Sequence, residues 1–184
     1  MSIKEQLAVC GKRMHAEKLV IGAGGNISAR TGGRVWIKKR DKDMGKGDPD
    51  DYVEIKDGKG GDLNGEMLSS ETPMHLACYE KNKDINAIVH AHSPFAIAVA
   101  EKGGIPEHIS YEADCIIGSA VPAIDYLQPG SEKLAEEVSE RVKSGANAVL
   151  LKRHGAIAVG RDIEEAFLRI MALERVCKVY LLGF

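Results

Sequence analysis

Apolar positions along the chain keep two rhythms. Ile3, Leu7, Cys10 and Met14 recur at steps of four, three and four, which predicts an amphipathic helix over residues 3–19. Residues 26–30 and 34–37 read as short strands, and Gly32-Gly33 between them supplies a hairpin turn. Tyr52 to Ile55 resumes a strand, and Asp57-Gly58 to Gly65 reads as turns. Ser69 or Ser70 is placed to cap a helix running to about Lys81, with Pro73 in the first turn, where a missing N–H is tolerated. Residues 86–92 form a strand stopped by Ser93-Pro94, and an Ala-rich helix starts at Phe95.

Further on, β-branched residues around Ile109 to Tyr111 and from Ile116 to Ile124 predict two more strands. Ser131 caps a helix with Leu134, Val138 and Val142 on one face. Strands at 148–151 and 156–160 flank Lys152-Arg153-His154-Gly155, and Asp162 with Glu165 resembles a capping box that opens a long amphipathic final helix. This order implies an α/β chain, one mixed sheet with helices on its faces.

Composition narrows the picture. At 184 residues the chain fits a single domain spanning 1–184. It is 44% hydrophobic and 28% charged, no stretch has the unbroken apolar length of a membrane span, and Met1 to Gly11 lacks a signal-peptide pattern, so a cytoplasmic protein is expected. A formal charge of -2 provides no basic field, which argues against nucleic acid and membrane partners. Cys10, Cys78, Cys115 and Cys177 are scattered among apolar neighbours and read as reduced core residues.

The candidate chemistry lies at strand ends. His90 and His92 are two apart and share one face of their strand, an arrangement open to metal binding, although such a pair also fits two partly buried polar residues. His154 follows another apolar strand. With Glu71 at a helix N-terminus, three imidazoles would make a metal site that keeps a position for substrate. Gly22 to Ser28, with Gly24-Gly25-Asn26, is either a tight helix-to-strand turn or a place where a ligand approaches the backbone. Ser69 and Ser70 at a helix start suit an anion. Lys38 to Asp51 is charged and aperiodic, a solvated excursion on its face. His15 and His108 read as surface residues, and His75 as packing or supporting the site.

Gly24-Gly25-Asn26-Ile27-Ser28, Ser69-Ser70-Glu71 with His75, Asn86-Ala87-Ile88-Val89-His90-Ala91-His92 and Leu151-Lys152-Arg153-His154-Gly155 together resemble the class II aldolase and adducin family, most closely its L-fuculose-1-phosphate aldolase type. The resemblance implies a mostly antiparallel sheet flanked by helices on both faces, and fourfold tetramers with active sites between subunits. It makes His90, His92 and His154 ligands of Zn2+ or another divalent transition metal, and Glu71 the catalytic acid/base. Gly25, Asn26, Ser69 and Ser70 would hold a substrate phosphate. Tyr111 would reach a neighbouring subunit and protonate the aldehyde oxygen; on its own it reads as a half-buried strand tyrosine. The implied reaction is cleavage of a ketose 1-phosphate to dihydroxyacetone phosphate and an aldehyde through a metal-stabilised enediolate. Decarboxylation, epimerisation and dehydration of sugar phosphates belong to the same scaffold, as does a non-catalytic adducin-like module.

Two departures stand out. Where the family carries a Thr-x-Ser/Thr-Gly phosphate loop, this chain has Lys38-Lys39-Arg40-Asp41, so Lys38 is a candidate anion contact by charge, or the loop is simply solvated. The sequence also ends at Phe184, soon after the last helix, so no tail reaching a neighbour is expected.

Overall fold

The computed structural model describes residues 1–55 and 68–183, so the turns expected at 57–65 lie outside the described residues. Its elements are α1 (Ile3–Ala16), β1 (Asn26–Thr31), β2 (Arg34–Lys38), β3 (Tyr52–Ile55), α2 (Thr72–Lys81), β4 (Ala87–Ala91), α3 (Pro94–Glu101), α4 (Tyr111–Ile117), β5 (Ala123–Ile124), α5 (Glu132–Lys143), β6 (Ala148–Leu151), β7 (Gly155–Gly160) and α6 (Ile163–Gly183). One sheet runs in the order β3-β2-β1-β4-β7-β6-β5. Every pairing is antiparallel except β5 with β6.

Strand alternation sorts the two faces. Ile27, Ala29, Val89, Ala156 and Ala158 point into the larger core with Leu7, Met14, Ile170 and Leu173 from α1 and α6. Ile88, Val149, Ile157 and Val159 point the other way, onto Met74 and Cys78 of α2 and Val138 and Val142 of α5. Helices therefore cover both faces, as expected. Asn26, Ser28 and His90 share the α2 side, because β1 pairs with β4 so that Asn26 faces His90 and Ser28 faces Ile88.

The first hairpin closes on Gly32 and Gly33, both at positive φ, between the paired Thr31 and Arg34. Ser131 caps α5 by accepting from the Leu134 amide, as its position predicts. Asp162 accepts from the Glu165 amide, one half of a capping box, while the Glu165 carboxylate turns to the Arg161 amide.

Several expectations need correction. The stretch expected as strands at 109–111 and 116–124 is instead a helix, α4, followed by the two-residue β5. Ser110 caps this helix through the Ala113 amide, and Ala113 and Ile117 bury one side against the core beneath α6, a tertiary contact that overrides β-branched propensity. Tyr111 accordingly opens a helix and is 86% exposed, not a half-buried strand residue. Residues 38–51 are not a purely solvated loop: Lys38 and Met44 are buried, and a short 3-10 turn at Pro49–Asp51 leads into β3. Cys115 is exposed, unlike the other three cysteines.

Candidate active site

His90 and His92 project from the end of β4 on the α2 side of the sheet, and His154 comes from the loop joining β6 to β7. Two glycines permit this closeness. Gly155 (φ 144) sits where a Cβ would collide with the Ala91 carbonyl, so only glycine lets the His154 loop press against the end of β4. Gly25 (φ 69) sits where a Cβ would strike the His90 carbonyl oxygen and the Val20 side chain. The glycine-rich stretch is thus a close-approach device as well as a turn.

One ligand-capable atom from each of His90, His92 and His154 lies within 4.8 Å of the others, and the ring centroids are 4.7–5.3 Å apart. His90 Nδ1 lies 3.0 Å from the Ala156 carbonyl oxygen. A carbonyl can only accept, so Nδ1 carries the proton and Nε2 keeps a lone pair. Nε2 is buried with no hydrogen-bond partner, as is His154 Nδ1.

The electrostatics favour neutral rings. Burial holds the His90 pKa well below its ordinary value, and the neighbouring imidazoles push the same way. His154 is lowered to about 4 by burial and by His92. Burial, then the Lys38 charge, lowers His92. Three neutral imidazoles around a common point, two with orphaned buried nitrogens, fit a divalent metal ion by donor type and protonation state.

Glu71 Oε1 lies 3.8 Å from His154 Nε2, and Glu71 Oε2 is buried without a partner. Burial raises the Glu71 pKa, opposed by the Gly130 amide. Ser69 and Ser70 do not cap α2. Glu71 itself occupies the N-cap position without a side-chain bond, Ser69 Oγ accepts from the Glu71 amide (3.3 Å), and the Thr72 hydroxyl donates to the Ser69 carbonyl (2.6 Å). Glu71 is left pointing away from its own helix end, toward the histidines.

A cavity of about 250 Å³ opens on this cluster. Gly25, Asn26, Lys38, Ser69 and Ser70 line it together with Glu71, His92 and His154. Lys38 is 2% exposed, and its ammonium donates to the carbonyls of Ala23 (2.9 Å) and Lys42 (2.8 Å). Of the predicted site residues only Tyr111, at the exposed start of α4, does not line the cavity or belong to the histidine cluster. A larger groove of about 530 Å³ between α3, α4 and α6 has no comparable set of ligating groups among the described residues.

Some participants were not read from the sequence. Pro129 lines the cavity and Gly130 influences Glu71, and a Pro-Gly turn pair was the available signal. Tyr79 was not read either: Ser28 Oγ lies 2.7 Å from His75 Nδ1 and 2.8 Å from the Tyr79 hydroxyl, a buried chain of polar groups.

Residues 5–181 match the family described as the class II aldolase and adducin N-terminal domain. An L-fuculose phosphate aldolase of Methanocaldococcus jannaschii is 30% identical over 187 residues, covering 100% of this chain and 97% of the relative. A 3-oxo-tetronate 4-phosphate decarboxylase of Haemophilus influenzae is 30% identical, covering 96% of this chain and 86% of the relative. The crystal structure of L-fuculose-1-phosphate aldolase from Thermus thermophilus superposes with a TM-score of 0.85 at 25% identity, over 95% of this chain and 90% of that one. On these matches, the chain belongs to the class II aldolase and adducin family and is most like its L-fuculose phosphate aldolases.

Proposed function

We propose that the chain, as one domain over 1–184, is a metal-dependent aldolase that cleaves a ketose 1-phosphate, of the L-fuculose 1-phosphate kind, to dihydroxyacetone phosphate and an aldehyde. The observation that carries this reading is the cluster of three neutral imidazoles within 4.8 Å, with the Glu71 carboxylate 3.8 Å from His154. His90, His92 and His154 would hold the metal, zinc or another divalent transition ion. When bound, it supplies positive charge that stabilises the oxyanion developed on the three-carbon fragment.

The chain's own residues do the rest. Gly25, Asn26, Ser69 and Ser70 line the cavity and would present short polar groups to a phosphate. The Lys38 ammonium, fixed by two carbonyls, adds charge to the lining of the same cavity. In cleavage Glu71 gives a proton to the carbon of the three-carbon fragment once the carbon–carbon bond has broken, and in the reverse direction it removes that proton. Burial keeps its basicity above that of an ordinary carboxylate, which suits proton transfer near neutral pH. Tyr111, exposed at the start of α4, is assigned to the cavity of a neighbouring subunit in a homotetramer, where its phenolic oxygen takes up the proton of the hydroxyl that becomes the aldehyde oxygen as the carbon–carbon bond breaks, and gives it back in the reverse direction.

A second reading, decarboxylation of a phosphorylated sugar acid, is supported by the Haemophilus relative and by the Lys38-Lys39-Arg40-Asp41 sequence, which adds cations where a carboxylate could be read. A purely non-catalytic module is disfavoured, since it would have no use for the histidine cluster and the buried Glu71. Coupled detection of dihydroxyacetone phosphate from a panel of ketose 1-phosphates tests the first reading. Release from at least one member is expected; carbon dioxide from a phosphorylated sugar acid, with no dihydroxyacetone phosphate from any ketose, would replace it with the second.

A further inference from the structure

We infer that one face of β1 is a rail that fixes α2, and through it Glu71, and that His75 is the positioning residue at its centre. The inference rests on the proposed role of Glu71. Asn26, Ser28 and Arg30 are two apart and so share the face of β1 that looks at α2. Ser28 and Arg30 meet that helix at different levels, and Asn26 lies beside its start. Asn26 lines the cavity beside Glu71, at the helix start. Ser28 meets the middle, with its hydroxyl 2.7 Å from His75 Nδ1 and 2.8 Å from the Tyr79 hydroxyl. Arg30 closes the far end: its guanidinium donates to the carbonyls of Tyr79 (2.8 Å), Lys83 (2.8 Å) and Ile85, and lies 5.0 Å from the centre of the Tyr79 ring.

Burial turns these contacts into constraints. Ser28 and His75 are fully buried and Tyr79 is 3% exposed. If α2 slid or rotated, these dry polar groups would lose their partners with no water to replace them, so the attachment fixes both position and rotation of the helix. Glu71 sits one residue before α2, and the His75 amide donates to the Glu71 carbonyl (3.3 Å). His75 therefore grips the sheet with its ring and the catalytic carboxylate's backbone with its amide. A general base displaced by about 1 Å loses about 100-fold in rate, so the rail sets turnover while Ser69, tied to β2 by its amide's bond to the Lys38 carbonyl (3.3 Å), and the histidines stay in place.

The test compares His75→Leu, which fills space without the bond, with His75→Asn, whose side-chain amide can still reach Ser28. Three quantities are read on each: kcat and KM for the cleaved sugar phosphate, zinc affinity, and the Glu71–His154 separation in a crystal structure. For His75→Leu the expected result is a kcat lower by about 10- to 100-fold, KM within about threefold, unchanged zinc affinity, and a Glu71 carboxylate moved off its position near His154. His75→Asn is expected to recover most of the loss. The inference is overturned if Glu71 stays in place in His75→Leu, or if both variants lose activity only in proportion to their loss of folded protein. Should the wild type cleave no sugar phosphate, the displacement of Glu71 still decides the rail, and only the aldolase reading falls.

Discussion

Lys38→Met should reverse its effect on stability between neutral and alkaline pH. Lys38 is 2% exposed, its ammonium is held by two backbone carbonyls, and burial lowers its pKa from 10.5 to about 8 against the opposing pull of Asp51, Asp41 and Asp43. At about 1.4 kcal/mol per tenfold change in proton affinity, charging this amine in the folded state costs about 3 kcal/mol relative to the unfolded chain. Because the folded pKa lies below the unfolded one, the penalty is full below pH 8, shrinks as pH rises from 8, and has largely gone by 10.5. Methionine keeps the length and removes the charge, but leaves the Ala23 and Lys42 carbonyls short of a donor, at about 1 kcal/mol each. The variant should therefore match or exceed wild-type stability by about 1 kcal/mol at pH 7 and fall below it by about 2 kcal/mol near pH 10.5. Urea unfolding of both proteins across this range measures the difference, in which other titrating groups cancel. Parallel stability curves would refute the buried-ammonium argument.

Three other outcomes follow from the geometry. Glu71→Gln should bind zinc like the wild type while kcat falls by about 10²- to 10⁴-fold; undiminished turnover in a steady-state assay would remove Glu71 from proton transfer. Gly155→Ala places a methyl group against the Ala91 carbonyl at φ 144 and should lower stability by about 3 kcal/mol in urea unfolding, with weakened zinc affinity because His154 is its neighbour; an unchanged midpoint would contradict the close approach. Cys115 alone of the four thiols is exposed, so a chromogenic disulfide reagent should titrate one thiol per native chain, and mass mapping that finds Cys10, Cys78 or Cys177 labelled would contradict their burial.

What the sequence made legible was local or repeated. The α1 face, the Gly32-Gly33 hairpin, the Ser131 cap and the His-x-His pair each depend on spacings of a few residues, and the structure holds each of them. The misreadings share a cause, which is that distant contacts decided the outcome. Residues 111–117 carry strand-forming isoleucines, yet the Ser110 cap and burial of Ala113 and Ile117 make a helix. Lys38 reads as a surface charge until the Ala23 and Lys42 carbonyls are brought to it. The sheet order, in which β1 lies between β2 and β4, and the Ser28–His75 contact across 47 residues are equally invisible to any local pattern.

The most direct test of the whole account is a zinc titration of metal-stripped protein, following dihydroxyacetone phosphate release from L-fuculose 1-phosphate. Activity should be absent at the start, rise linearly and saturate at one zinc per chain, and His92→Ala should shift or abolish that end point. Release that is already complete without metal, or none at saturating zinc, would contradict it.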